Sequence, residues 1–308
     1  MAATSKAILV CGATGKQGGS VLKHLATHPE SEQFTLLAVT RDATATSALC
    51  ISEQYPGVLL VQGNLNDVPT LFANAKAALK AAGKEEKIWG VYSVQISLGP
   101  GITVAGEIKQ GKAIIDESIA EGVSHFVYSS VDRGGNQRSF ENTTPIPHFQ
   151  TKYEIEKHLI AKAGKDGETM GWTILRPVAF MDNLEPGFKT KVFLAALRDT
   201  LQGKSLQWIS VEDIGRFAAR AFRQPKQWNA RAESLAGSEI TMDEMSGCFE
   251  RSIGSPWAIT EVNLMITWFA TEGYGADIAK LRKEEPELSD FETWLGANSG
   301  WKSQVVAR

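Results

Sequence analysis

The sequence predicts an α/β protein: a doubly wound parallel sheet followed by a smaller, mostly helical region. Three observations predict it. Short, continuously apolar runs alternate with amphipathic segments through the first half; a glycine-rich turn follows the first run; and the alternation loosens after Arg176-Pro177. Runs of strand length that are apolar throughout belong in a parallel sheet covered on both faces, because crossover helices exclude water from each side.

The first strand covers residues 7–11 and runs into the turn, and a helix follows from residue 18 to about residue 28. Further strands are expected at 34–39, 58–61, 89–94, 126–128 and 172–175, with helices at 71–82 and 107–121 among the connections. Residues 211–222 form a helix with Ser210 as N-cap and Asp213 in the acidic position of a capping box. Helical patterns recur at 261–272, 277–284 and 291–297, and Trp208, Trp228, Trp257, Trp268 and Phe269 offer an aromatic roof for the carboxyl edge of the sheet.

A chain of 308 residues with 43% hydrophobic content has apolar material for one large domain or two intimate ones. Its formal net charge of −3 gives no general attraction to nucleic acid or to an anionic membrane, so phosphate recognition must be local and direct nucleic-acid binding is not expected. The longest uncharged stretch, 88–106, is broken by glycines, Pro100 and Gln95 and reads as a strand and loop, not a membrane span. Cys11, Cys50 and Cys248 are odd in number and far apart, which suggests neither a disulfide framework nor a metal site. No apolar signal segment precedes the first strand, so the expected location is the cytoplasm, or the nucleus for a regulator.

Gly12-Ala13-Thr14-Gly15-Lys16-Gln17-Gly18 joins the first strand to the first helix. Glycines there permit a tight turn and close backbone approach, and the helix N-terminus presents unpaired N–H groups to a pyrophosphate. In this context the loop reads as a Rossmann-type dinucleotide site with G-x-x-G-x-x-G spacing. An NAD site usually carries Asp or Glu at the end of the second strand, whereas Arg41 stands here and suits the 2′-phosphate of NADP(H). Asp42, next to it, keeps NAD as the alternative. Asn64, after the third strand, is either an adenine ligand or part of an Asx turn. Gln95 and Ser97, after the fourth, fall near the middle of a dinucleotide. Residues 1–177 are assigned to the NADP(H)-binding domain and 178–308 to a smaller substrate or partner region, parts of which return to the sheet.

The glycine loop with Gly19-Ser20-Val21, then Thr40-Arg41, Glu107-Ile108-Lys109-Gln110-Gly111-Lys112, His125-Phe126-Val127-Tyr128-Ser129-Ser130 and His148-Phe149-Gln150-Thr151-Lys152, form a recognisable series. Phe180-Met181-Asp182-Asn183, Val211-Glu212-Asp213-Ile214-Gly215 and Phe291-Glu292-Thr293-Trp294-Leu295 complete it. Over nearly its whole length the chain resembles the NmrA-like family. These are atypical relatives of the short-chain dehydrogenases/reductases, and they include oxidoreductases, fungal nitrogen-control regulators and NADP(H)-responsive sensors. The resemblance implies cofactor contacts at Gly12, Ala13, Thr14, Gly15, Lys16 and Gln17, at Arg41, Asn64 and Leu65, and at Gln95, Ile96 and Ser97. It implies further contacts at Lys109, Lys152, Phe180, Met181, Asp182 and Asn183. Asn64 stands where many relatives have Asp.

Related reductases use Tyr-x-x-x-Lys, the tyrosine as proton donor to a carbonyl and the lysine as its activator and ribose ligand. Here Lys152 takes the lysine position and His148 the tyrosine position. Residues four apart share a helical face, and imidazole is a competent acid near neutral pH. His148 is therefore a candidate proton donor, with capping, packing or a water contact as its alternatives. Tyr153 and Lys157 spell the same pattern, but Tyr153 is rotated by about 140° from His148, so the two pairs cannot both face the cofactor. Ser129 and Ser130, at the end of the fifth strand, are candidates for bonding a substrate carbonyl, or strand-end serines that satisfy backbone groups.

Two functions compete. One is an NADPH-dependent oxidoreductase that transfers hydride to a C=O, C=N or activated C=C bond of a small substrate. The other is a non-enzymatic NADP(H)-binding redox sensor or transcriptional co-regulator acting through protein partners. A homo-oligomer or a regulatory protein partner is compatible with either.

Overall fold

The computed structural model describes residues 5–253 apart from 98 and 100, together with residues 278 and 283. Ten strands lie among the described residues: β1 (Lys6–Val10), β2 (Phe34–Thr40), β3 (Leu59–Gln62), β4 (Ile88–Ser93), β5 (His125–Ser129), β6 (Gly171–Pro177), β7 (Ala179–Phe180), β8 (Leu206–Ile209), β9 (Arg231–Leu235) and β10 (Ser238–Ile240). The helices are α1 (Lys16–Ala26), α2 (Thr46–Gln54), α3 (Val68–Ala81), α4 (Val104–Ala120), α5 (Pro147–Ala163), α6 (Phe188–Leu201), α7 (Val211–Arg223), α8 (Pro225–Trp228) and α9 (Met242–Ile253).

Seven strands form the main sheet in the order β3-β2-β1-β4-β5-β6-β9, every neighbouring pair parallel. This is the doubly wound arrangement expected from the alternating runs. The strand order reverses between β1 and β4, the crevice where open α/β sheets bind ligands at their carboxyl ends. Successive side chains on each strand go to opposite faces. Leu9, Leu37, Val91 and Phe126 meet α3, α4 and α5, while Ile8, Val10, Tyr92 and Val127 meet α1 and α7. Close helix contact on each face is made by a glycine. A Cβ on Gly215 of α7 would stand 2.6 Å from the Ser20 backbone in α1, and one on Gly111 of α4 would stand 2.4 Å from Ile155 of α5.

Beyond residue 177 the described chain is less helical than its sequence suggests. β9 joins the main sheet beside β6, and β10-β8-β7 form a separate small sheet. Trp208 packs in that small unit with Leu194, Met242 and Met245. Trp228 lies beside α7, its carbonyl accepting from Thr173 near the amino end of β6, so it does not roof the carboxyl edge. Trp257, Trp268, Phe269 and the helices expected at 261–272 and 291–297 lie outside the described residues. Of 277–284, only Ile278 and Lys283 are described, both helical. α2 carries no expected pattern because only Ala48 of its residues is buried. Ser210 caps α7 through the Asp213 N–H (3.1 Å), but the Asp213 carboxylate returns to the Ser210 hydroxyl, and the Asp182 carboxylate takes the Val211 N–H at 2.7 Å.

A buried ion cluster ties β5, β6 and α5 together. Glu156 is gripped by Arg133 (3.1 and 2.7 Å) and by Arg176 (3.1 and 2.7 Å), with side-chain exposures of 0–2%. The loop between β5 and α5 wraps this cluster: Arg133 donates to the Ser139 carbonyl and Arg176 to the Asn136 carbonyl. Removing one partner of such a cluster leaves uncompensated buried charge, at a cost of about 3–5 kcal/mol. Glu156→Gln is expected to lower the unfolding free energy by that order, read as a lower denaturant midpoint at unchanged slope. An unfolding free energy within about 1 kcal/mol of the parent would contradict the tie.

Candidate active site

At the carboxyl end of β1, Gly12 adopts φ +66°, a left-handed conformation that side chains disfavour. Its carbonyl accepts the Gly15 N–H at 2.9 Å, and a Cβ on Gly18 would stand 2.3 Å from that same oxygen. The loop therefore folds back on the first turn of α1. The α1 N-terminus has no side-chain cap and no acidic residue in its first turn, so its N–H groups and helix dipole favour an anion. Thr14 is exposed and Ala13 buried within the turn. Burial pushes the Cys11 thiol up to about 12, which keeps it a protonated packing group.

Side chains lock the loop to its neighbours. The Gln17 Oε1 accepts from Ser129 at 2.6 Å and from the Tyr92 hydroxyl at 3.3 Å. The Lys16 ammonium donates to the Asp182 carbonyl and to Glu185, both at 2.7 Å, drawing the Met181–Asn183 turn toward the glycine loop. Phe180 packs on the α1-side core, while Met181 and Asn183 are exposed. The Asp182 carboxylate accepts the Val211 N–H at the start of α7, so this expected cofactor contact is also a helix cap.

Arg41 is exposed just beyond β2 and its guanidinium has no partner among the described residues. The Asp42 carboxylate is held by the Thr44 hydroxyl (2.7 Å) and N–H (2.8 Å), and these bonds lower its pKa. Asn64 forms the Asx turn: its Oδ1 accepts the Asn66 N–H at 2.9 Å. Leu65 packs on the core beside it. Lys109 is exposed and lacks a side-chain partner among the described residues.

The last group gathers behind β4 and β5. The Lys152 side chain is 8% exposed, and its ammonium lies 2.8 Å from Glu107 Oε1 and donates to the Gln95 carbonyl at 3.2 Å. Glu107 also accepts from the Ser97 hydroxyl at 2.8 Å. Burial lowers the Lys152 pKa, and the Glu107 carboxylate opposes that shift by stabilising the charged form. The ammonium sits 5.8 Å from the Tyr128 ring centre. Burial, then the Glu156 and Glu107 charges, push the Tyr128 pKa well above its ordinary value, so the phenol keeps its proton. Its hydroxyl and the Gln95 Oε1 are buried without a hydrogen-bond partner among the described residues, and the Gln95 amide nitrogen donates to Ser93. Ile96, between them, is 62% exposed.

His148 lies one turn before Lys152, directly after Pro147 at the start of α5. It is half-buried, edge-on to Phe149 at 4.8 Å, and its ring has no hydrogen-bond partner among the described residues. Tyr153 turns to Arg133 (5.5 Å) and Lys157 (5.3 Å), as the helical rotation requires. The serines part company. Ser129 gives its proton to Gln17, while Ser130 donates to Glu156 and accepts from Arg133 inside the buried cluster. Ser130 is thus engaged within the buried cluster, with its proton directed to Glu156.

Sequence reasoning missed Glu107. An acidic residue in the first turn of a helix is ordinary dipole complementation, and its partner lies 45 residues away, so nothing local marked it. A cavity of about 390 Å³ opens beside α1, lined by Lys16, Lys23, Tyr55, Asp182 and Glu212 among others; Lys152 and His148 are not part of its lining. No group of three or more metal-ligating side chains occurs among the described residues, and none of their helices is long and apolar enough to cross a membrane.

The fold has known counterparts. A Citrobacter triphenylmethane reductase solved with NADP(H) superposes with a TM-score of 0.56 at 18% identity, covering 98% of this chain and 99% of that one. An Escherichia coli NADPH-dependent quinone oxidoreductase solved with NADPH gives 0.55 at 20% identity over 81% and 75%. A Bordetella bronchiseptica enzyme in complex with NAD+ gives 0.55 at 14% identity over 82% of each chain. These likenesses establish the Rossmann-type fold. In sequence, the chain is 28% identical to the NmrA-like family domain-containing oxidoreductase FrzB of Cladobotryum sp, over 92% of this chain and 81% of the relative. It is 24% identical to the oxidoreductase malD of Malbranchea aurantiaca, so described, over 77% and 70%. The NmrA-like family model matches residues 4–295, and the chain belongs to the NmrA-like family.

Proposed function

We propose that this protein is an NADPH-dependent reductase acting on a C=O, C=N or activated C=C bond of a small molecule. The observation that carries the reading is a buried lysine, Lys152, delivered to the end of β4 at the sheet edge that also carries the glycine loop. Relatives described as oxidoreductases and structural neighbours solved with NADPH or NADP(H) support it. The site fits a dinucleotide on its own terms: a cradle at Gly12 and Gly18 that a Cβ would fill, an uncapped α1 N-terminus, and the orphaned Gln95 Oε1.

In this reading the N–H groups around Gly15, Lys16 and Gln17 bind the pyrophosphate and Arg41 binds the 2′-phosphate. When bound, the cofactor supplies the hydride. Lys152 spends two donors on Glu107 and Gln95 and offers its third N–H to the nicotinamide ribose. His148 holds the proton delivered to the substrate heteroatom. Ser129 and Ser130 are not assigned to the carbonyl, because their hydroxyl protons go to Gln17 and Glu156. That same engagement favours the second reading, a sensor whose NADP(H) occupancy governs a protein partner.

Fluorescence titration with NADPH and NADH tests the cofactor assignment. Arg41→Ala is expected to weaken NADPH roughly 10- to 100-fold, the worth of one or two charge-assisted bonds, and to leave NADH unchanged. Equal parent affinity for both cofactors would remove Arg41 from the site. Turnover is tested by NADPH consumption over a panel of quinones, ketones and imines. Lys152→Ala and His148→Phe should each lower kcat/KM by about 10²-fold or more, as loss of proton-transfer machinery does. Undiminished rates in both variants would discard the catalytic assignment, and a parent that binds NADPH but turns over nothing would favour the sensor.

A further inference from the structure

We infer that Glu107 is the positioning residue for Lys152: its carboxylate keeps the buried lysine charged and turned to the end of β4, with one N–H left for a bound dinucleotide. The inference rests on the reading of Lys152 as a cofactor ligand. Its ground is the surroundings of the ammonium: the Lys152 side chain is 8% exposed and lies against a Glu107 side chain that is 1% exposed. An ammonium in such a place gives up its proton unless a counter-ion faces it.

The neighbouring groups leave that task to Glu107. Tyr128, from β5, keeps its proton and contributes no charge. Along α5, Glu156 lies one turn after Lys152 but is neutralised by Arg133 and Arg176. His148, one turn before, is no anion in either protonation state. Among the described residues the free carboxylate at Lys152 is therefore that of Glu107, on α4. Two features hold it toward the lysine. It is in the first turn of α4, where the helix dipole favours negative charge, and its Oε1 receives the Ser97 hydroxyl as well as the lysine. Ser97 is half-buried on the loop after β4, and Lys152 also reaches the Gln95 carbonyl of that loop. The pair thus pins α4, α5 and the β4 loop at one point.

The test uses full-length protein labelled with carbon-13 at lysine Cε, without cofactor, with the Lys152 resonance assigned as the one missing from Lys152→Arg. In Glu107→Gln the lysine should lose its proton at least about one pH unit lower than in the parent, and Glu107→Asp should recover most of that difference. An unchanged titration in a folded Glu107→Gln protein, or an aspartate variant indistinguishable from the glutamine one, overturns the inference. NADPH titration across the same pH range provides the second readout. Affinity in Glu107→Gln should fall as pH rises through the lowered lysine transition, while the parent stays level there. Parallel pH profiles also overturn it. Should the parent bind no NADPH, the proposed function fails by itself, and the lysine titration still decides the role of Glu107.

Discussion

Two guanidinium groups, from Arg133 and Arg176, close on the carboxylate of Glu156 where water is excluded, and the carboxyl edge of the sheet is assembled around them. The cluster carries a formal excess of one positive charge. Backbone carbonyls of Ser139 and Asn136, together with the Ser130 hydroxyl, accept further guanidinium N–H groups, while the buried Arg133 Nε has no partner among the described residues. Because its members come from the loop after β5, from β6 and from α5, the helix cannot slide or rotate without breaking charge-assisted bonds. Lys152 lies one turn from Glu156 on the same buried face, so the register fixed by the first cluster is the register in which Lys152 meets Glu107.

The two ion clusters flank Tyr128, whose ring sits near Lys152 and whose hydroxyl feels both Glu156 and Glu107. Low local dielectric strengthens each pairing and penalises each unpaired group. That is why the orphaned Gln95 Oε1 and Tyr128 hydroxyl are informative: both are buried without a partner among the described residues, and both belong to residues that the Lys152 ammonium approaches. On the other side of β1 the constraint is steric. Gly12 must be left-handed and Gly18 must lack a Cβ for the loop to lie against α1, and Gln17 then fastens that loop to the end of β5 through Ser129. The phosphate-facing half and the lysine-facing half of the site are thus joined by a side-chain bridge across the sheet edge.

The region after residue 177 contributes through contacts to this edge. Asp182 caps α7 with its carboxylate and receives Lys16 on its carbonyl, so one residue links the small sheet, the helix behind α1 and the glycine loop. β9 extends the main sheet past β6, which makes the later chain part of the layer it follows.

The parallel sheet, the glycine loop with its uncapped helix, and the exposed arginine after β2 were determined by the sequence alone, because each depends on local periodicity, on the conformational freedom of glycine, or on a side chain next to a strand end. The shared face of His148 and Lys152, and the turning away of Tyr153, were likewise legible from 3.6-residue geometry. Tertiary structure decided what distance along the chain conceals. Glu107 meets Lys152 across 45 residues, Ser130 joins the Glu156 cluster, and the Asp182 carboxylate caps α7. β9 is also decided there: Arg231–Leu235 has partly buried positions and a charged residue at its centre, and only pairing with β6 makes it a strand of the main sheet. The physical reason is the same throughout: hydrogen-bond and charge partners are chosen by proximity in space, which a linear pattern encodes only when the partners are neighbours on one element.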